Sequence, residues 1–136
     1  MMKELNLDII TPSKQAFSGK VKSITVPGTA GSFQVLFNHA PLLSTFEIGK
    51  IKLEDLEGKE VEFATSGGTI EVNENKILIL ADSLESKEEI DINRAKQAYD
   101  RAKERMANRG NDIDAMRAEG ALARSINRLK FTGTSI

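Results

Sequence analysis

The chain has 136 residues, with 19 Lys and Arg against 20 Asp and Glu, one His and no Cys. The length fits one domain, or one small domain with an appendage, and a net charge of −1 argues against nucleic-acid binding as the main task. Without Cys there are no disulfides, thiolate metal sites or Cys nucleophiles. The totals conceal an asymmetry. Residues 1–84 hold 8 Lys, no Arg and 11 acids, a net of −3, whereas residues 85–136 hold 4 Lys, 7 Arg and 9 acids, a net of +2. All 3 Pro and 7 of the 10 Gly lie in the first part. Two parts are therefore expected, 1–84 and 85–136. No window approaches the roughly 20 apolar residues of a membrane span. Met1-Met2-Lys3-Glu4 has no apolar run behind its basic residue, so neither a secretory signal nor an Arg-rich transit peptide is expected. Membrane association must then come through a partner. Six Phe, one Tyr and no Trp offer little for base stacking.

The first part reads as strands. Leu5, Leu7 and Ile9 alternate with polar residues over 5–10, the period of a half-buried strand. Short runs follow at Val21–Val26, Phe33–Phe37, Lys50–Leu56, Val61–Thr65, Thr69–Val72 and Ile77–Leu80. Glu57-Gly58-Lys59 and Asn73-Glu74-Asn75-Lys76 suit hairpin turns, and Pro27-Gly28-Thr29 and Ser66-Gly67-Gly68 supply further breaks. At least seven short strands without helical periodicity predict an antiparallel sandwich or flattened barrel. Ile77-Leu78-Ile79-Leu80 is apolar on both faces and predicts a strand buried on both sides.

No catalytic constellation is visible in this part. Gly28-Thr29-Ala30-Gly31 lacks the Gly-Lys-Ser/Thr of a phosphate-cradling loop and reads as a turn. Ser66-Gly67-Gly68 reads as a strand connection rather than an oxyanion nest. His39 is the only His, so a metal site or a triad would need unusual partners, and none is expected. Asn38-His39-Ala40-Pro41 reads as an ordered loop with a structural His.

From Ile90 the period changes to that of helices rich in Ala, Arg, Lys, Glu and Met. Asn108-Arg109-Gly110-Asn111-Asp112 interrupts them. Gly110 suits a C-terminal cap and Asp112 an N-cap, giving antiparallel helices near 90–108 and 112–130. A shift of 23 superimposes them: Ile90 on Ile113, Asp91 on Asp114, Arg94 on Arg117, Ala95 on Ala118, Ala98 on Ala121, Arg101 on Arg124, Arg105 on Arg128 and Met106 on Leu129. Duplication and a shared constraint account for this equally well.

At about 100° per residue, Arg94, Arg101 and Arg105 fall within a stripe roughly 40° wide. Ala95, Ala98, Tyr99, Ala102 and Met106 form an adjoining stripe, repeated in the second helix by Ala118, Ala121, Leu122 and Leu129. If the apolar stripes face each other, a two-fold axis relates the helices and both Arg stripes emerge on one side. Two readings of that platform stand open. Asp91, Asp100, Glu104, Asp114 and Glu119 can pair with it at helical spacing, each pair worth ~0.3–0.5 kcal/mol. Alternatively the platform meets a phosphate chain or an acidic partner, which the bidentate geometry of Arg favours. So small a hairpin has little core of its own. A ligand that prefers one of its docked positions would shift the population.

Leu7-Asp8-Ile9-Ile10-Thr11-Pro12, Phe17-Ser18-Gly19, His39-Ala40-Pro41-Leu42-Leu43, Gly67-Gly68 with Glu71-Val72, Leu80-Ala81-Asp82 and Ile90-Asp91-Ile92-Asn93-Arg94-Ala95 occur in this order. In this the chain resembles, over nearly its whole length, the epsilon subunits of bacterial and chloroplast rotary proton-translocating ATP synthases, whose mitochondrial counterpart is called delta. The resemblance implies an α+β, mainly β fold, with a ten-stranded antiparallel β-sandwich followed by an antiparallel two-helix hairpin. It implies a non-catalytic central-stalk subunit that couples the rotor to the catalytic head and inhibits ATP hydrolysis through its hairpin. The implied partners are the gamma subunit, the rotor c-ring and the alpha/beta head, with no nucleic acid and no direct membrane insertion. The implied place is the cytoplasmic face of the bacterial plasma membrane, as a peripheral protein. No cofactor is required. In some bacterial members ATP binds the folded hairpin as a regulator, and the corresponding residues are Glu85, Ile90, Asp91, Arg94, Ala95, Arg101, Arg124 and Arg128. Arg105 and Arg117 also fall where relatives carry Arg. Rotor-ring and gamma contacts would fall on Gly28, Thr29, Ala30, Gly31, Ser32 and His39.

Two departures stand out. Gln34-Val35-Leu36-Phe37-Asn38 lacks the Gly and Pro that many relatives place before this His, and an acid often found near Ser32 is missing. The alternative to a synthase subunit is a free-standing ATP- or polyanion-sensing module. An enzyme is not expected, because no base, nucleophile and orienting group cluster in the sequence.

Overall fold

The computed structural model describes residues 3–108 and 112–135, the side chains of Asp112 and Ile113 excepted. It divides into two compact units, Met1–Glu85 and Ser86–Ile136.

The first unit contains nine strands among the described residues: β1 (Leu5–Ile10), β2 (Gln15–Gly28), β3 (Gly31–Val35), β4 (Leu42–Phe46), β5 (Gly49–Asp55), β6 (Glu60–Thr65), β7 (Gly68–Asn73), β8 (Lys76–Ala81) and β9 (Leu84–Glu85). Hydrogen bonds run β1–β8–β7–β4–β2 and return from β2 to β1, closing a flattened ring. From β2 the sheet extends through β5 and β6 to β9, while β3 pairs β2. Against the expected ten strands, one 14-residue β2 serves β1 with its first half and β3, β4 and β5 with its second. All pairings are antiparallel except β1–β8, which is parallel.

Alternation places Leu5, Leu7, Ile9, Val21, Ile24, Ile51, Leu53, Ile70, Val72, Ile77 and Ile79 in one buried core. The expectation that Ile77–Leu80 is buried on both faces is corrected. Ile77 and Ile79 are buried, but Leu78 is only half-buried and Leu80 is 47% exposed. One face of β8 lies on the core and the other does not.

The turns follow local chemistry. Glu74 (φ 49°) and Asn75 (φ 62°) are both left-handed, the geometry of a two-residue hairpin turn. Gly58 has φ 87°, and the Asp55 carboxylate accepts from the Glu57 and Lys59 N–H groups, each at 2.9 Å. At Gly68 a Cβ would collide with the Leu80 carbonyl, so only glycine lets β7 approach β8 there.

The second unit contains α1 (Ile92–Ala107) and α2 (Asp112–Phe131). The α1 C-cap is Asn108, whose N–H and side-chain amide both donate to the Glu104 carbonyl at 3.1 Å. The expected Gly110 cap lies outside the described residues, as does the Asp112 side chain. Helix α2 ends at Gly133 (φ 77°), where the Thr134 N–H donates to the Leu129 carbonyl at 2.9 Å and the Gly133 N–H to Lys130 at 3.0 Å. This pair of bonds satisfies carbonyls that the helix end leaves open.

Candidate functional site: the arginine platform of the hairpin and the outer sheet face

The hairpin starts with Asp91. Its backbone is extended (φ −82°, ψ 106°), and its carboxylate accepts from the Arg94 N–H at 3.1 Å. Asp91 is thus the N-cap of α1. No acid occupies the first turn of α1, and Arg94 stands in it. A cation at the positive end of a helix is unfavourable, and here the Asp91 carboxylate at the N-cap offsets it. Just upstream, the Ser86 N–H donates to Glu89 Oε1 at 3.1 Å and the Ile90 N–H to the Lys87 carbonyl at 3.3 Å, with Ile90 buried. The Lys87 Nζ lies 5.7 Å from the centre of the Phe131 ring. The entry to α1 therefore meets the exit of α2, as in an antiparallel hairpin.

The 23-residue overlay is visible in the packing. Ala95 and Ala118 are buried, and so are Ala102 and Ser125, which the same shift relates. Small side chains form the seam, so the backbones approach closely. Ser125 was not among the residues expected there. Its hydroxyl donates to the Leu122 carbonyl at 2.9 Å, so burial leaves it satisfied. Ala98, Tyr99, Met106, Ala121 and Leu122 are half-buried along the margin, and Leu129 is buried.

Arg94, Arg101, Arg105, Arg117 and Arg124 are all exposed. Arg128 is half-buried and engaged in an interaction. Among the described residues, none of the five exposed arginines pairs with a carboxylate. Among the described residues, then, neighbouring acids do not neutralise these five, and both readings of the platform stand. Gly120 leaves room for Arg124: a Cβ there would sit 3.2 Å from the guanidinium Nη1. Ile90, Asp91, Arg94, Ala95, Arg101, Arg124 and Arg128 belong to this unit. Glu85 ends β9 in the first unit, paired with Ala64.

In the first unit, Gly28–Ser32 forms the β2–β3 hairpin. Gly28 pairs with Gly31 (φ 125°) around Thr29-Ala30, and 29–32 are exposed. His39 is half-buried, its Nδ1 2.7 Å from the Ala40 carbonyl oxygen. Its loop is held by Asn38, left-handed at φ 64°. The Asn38 N–H donates to Asn75 Oδ1 at 2.7 Å, and Asn75 Nδ2 donates to Asn38 Oδ1 at 3.1 Å. This reciprocal amide pair does the fixing where Gly and Pro are missing. At Ser66-Gly67-Gly68 the Gly67 N–H is taken by Thr65 Oγ1 at 3.2 Å, as fits a strand connection.

The sequence reading missed one surface. Ile10 pairs with Leu80, Leu78 with Glu71, and Glu71 with Leu43. These positions share the face of β1, β8, β7 and β4 opposite to the core. Ile10 is 39% exposed, Leu80 47% and Leu43 76%. On this face the exposed Ile10, Leu43 and Leu80 stand among Asp8, Glu71 and Thr69. The doubly apolar run at 77–80 was its one visible signal. No group of three or more metal-ligating side chains gathers among the described residues, and no described helix is long and apolar enough to cross a membrane.

Comparison with known proteins covers both units. Residues 4–87 match the family described as ATP synthase, Delta/Epsilon chain, beta-sandwich domain, and residues 88–133 match ATP synthase, Delta/Epsilon chain, long alpha-helix domain. The ATP synthase epsilon chain of Desulforamulus reducens is 41% identical over 130 residues, covering 96% of this chain and 98% of its own. That of Moorella thermoacetica is 40% identical over 132 residues, covering 97% and 98%. Among solved structures, a chain of the Euglena gracilis mitochondrial ATP synthase OSCP/F1/c-ring assembly superposes with a TM-score of 0.81 at 21% identity, over 93% of this chain and 80% of that one. A chain of the Tetrahymena thermophila mitochondrial ATP synthase central stalk/c-ring gives 0.63 at 16% identity, over 94% and 96%.

Proposed function

Because the chain belongs to the ATP synthase delta/epsilon family, we propose that it acts as the epsilon subunit in the central stalk of a bacterial rotary ATP synthase. It is an accessory chain of the synthase rather than a catalytic one. In this reading it couples the rotor to the catalytic head from the cytoplasmic face of the plasma membrane, as a peripheral protein. The sandwich docks gamma through its outer face, Ile10, Leu43 and Leu80, and through the His39 loop. The β2–β3 hairpin, Gly28–Ser32, meets the rotor c-ring. The hairpin unit reaches the alpha/beta head and inhibits ATP hydrolysis, and ATP binds it as a regulator and favours its folded form.

The observation that supports the regulatory half is the set of five exposed arginines without acidic partners among the described residues. Their charge calls for an anion, and a triphosphate supplies bidentate oxygens to several guanidiniums at once. Arg94 in the first turn adds the attraction of the helix N-terminus. The hydrophobic outer face carries the docking half. A free-standing sensor would use the same arginines and leave that face unused.

Co-purification with gamma and the catalytic subunits tests the docking half. Leu43→Asp with Leu80→Asp should abolish it in a protein that still folds, and a wild-type chain with no affinity for gamma would reject the assignment. Calorimetric titration with ATP tests the regulatory half. Arg94→Ala or Arg124→Ala should remove the heat, and Lys22→Ala should not. Equal loss from Lys22→Ala, or no heat from the folded wild-type chain at millimolar ATP, would reject the arginine site.

A further inference from the structure

The first unit holds a concavity of about 710 Å³ lined by Lys3, Lys22, Leu36, Phe37, Asn38 and Leu56. Its volume lies within the usual range of small-molecule sites, roughly 300–1,000 Å³. Its residues lie outside the arginine platform, the β2–β3 hairpin and the face of Ile10, Leu43 and Leu80, and Asn38 is shared with the His39 loop. Its construction is specific. Val21 pairs with Asp55 and Ser23 with Glu54, so Lys22 is the extra residue of a β-bulge. Bulges re-aim a side chain out of the regular alternation. Lys3, just ahead of β1, is the second cation, on the strand that pairs Leu5 with Val21. Among the described residues neither lysine pairs with a carboxylate, whereas Lys20, Lys50 and Lys52 on the same sheet all do. The nearby Asp55 carboxylate is turned into its own hairpin, accepting two backbone N–H groups. The rest of the lining is Asn38, whose side chain is held by Asn75, and three apolar residues: Leu36 is 52% exposed, and Phe37 and Leu56 are half-buried.

Two lysines without a carboxylate partner among the described residues, set beside apolar side chains, select a particular chemistry. A free anion such as phosphate leaves the wall wet, and a neutral apolar molecule leaves the lysines unpaired. We propose that this concavity binds a soluble single-chain anionic amphiphile. Lys3 and Lys22 hold its carboxylate or phosphate head, and Leu36, Phe37 and Leu56 carry its alkyl or aryl body. The lysine stems themselves extend the apolar surface. This site stands independently of ATP binding and borders the His39 loop of the proposed stalk contact.

The test uses the full chain and decyl phosphate below its micellar concentration, with backbone amide shifts as the readout. Saturable shifts are expected at Lys22, Leu36, Phe37 and Leu56. Lys3→Ala with Lys22→Ala should weaken binding at least about tenfold, as loss of charge-assisted bonds does. Arg94→Ala should leave it intact. Leu36→Ser should weaken it while leaving the lysines in place. Inorganic phosphate binding as well as decyl phosphate would overturn the apolar half, and decanol binding as well would overturn the ionic half. Binding only to vesicles of an acidic phospholipid, with no saturation by the soluble amphiphile, would overturn the proposal in favour of a membrane contact. Unchanged affinity in the double lysine variant would overturn it outright, with wild-type amide spectra confirming that the variant is folded.

Discussion

The two units are stabilised in opposite ways. The first buries large branched residues, Leu5, Ile9, Ile24, Ile51, Ile70 and Ile79 among them, between strands joined from distant parts of the chain. The second buries mostly small residues, Ala95, Ala102, Ala118 and Ser125, with Leu129 and Ile90 as its large buried side chains. Burial scales with apolar area at about 25 cal/mol per Å², so an Ala seam contributes far less than an Ile core. A closed sheet also cannot lose one pairing without disturbing the next. The first unit is therefore suited to be a fixed docking body. The second has the smaller apolar core, and a small core favours local opening.

The largest expected effect probes the first half of that contrast. Ile79→Ala, at a fully buried position of β8, should cost about 2–5 kcal/mol. It should lower the urea midpoint of the sandwich as a whole, read by hydrogen exchange at β1, β7 and β8 amides. A loss confined to β8 would mean that the ring of strands does not unfold as a unit. Overpacking the seam comes next. Ala118→Leu, also at a fully buried position, should cost about 1–3 kcal/mol and raise exchange only in α1 and α2. If sandwich amides lose the same protection, the two units are not separable and the contrast fails.

Asp91→Ala removes the α1 N-cap and should cost about 0.5–2 kcal/mol. The effect belongs to the first turn of α1, near Arg94. Since the cap is a hydrogen bond to the Arg94 N–H at 3.1 Å, Asp91→Asn should recover most of it. Helix content by circular dichroism separates the two variants. A loss of ATP binding in Asp91→Asn with full helix content would show that the carboxylate charge matters beyond capping.

The helices were legible because their pattern is local. Period and repeat lie within 23 residues of one another, and buried pairs such as Ala95 with Ala118 follow the overlay. Ser125 does not stand out in the sequence because serine is mostly exposed, although a serine can satisfy itself on its own helix. The sheet was legible where alternation is strict, as in β1. It was not at β4, Leu42-Leu43-Ser44-Thr45-Phe46, which has no clean alternation and follows a proline. Nor was it at β9, two residues long, or in the first half of β2, where Gly19 interrupts the pattern. The outer apolar face and the lysine-lined concavity join segments far apart in sequence. Only register and closure bring them together, and neither is written in a local period.

Gly120→Ala gives the smallest effect and the sharpest test of the hairpin's purpose. Glycine inside a helix costs about 1 kcal/mol relative to alanine, so on stability alone the substitution should help α2. The added Cβ would meet the Arg124 guanidinium at 3.2 Å. A flexible side-chain end can move away, so the penalty is small and the net change should be a gain of ~0.5–1 kcal/mol. The same movement takes Arg124 off its present course along the platform. If the platform exists to meet a polyanion, thermal stability should rise while ATP affinity falls. If Arg124 is a solvated surface charge, stability should rise and ATP affinity should not change. A glycine retained at the expense of helix stability would then have its reason in the space it leaves for one guanidinium.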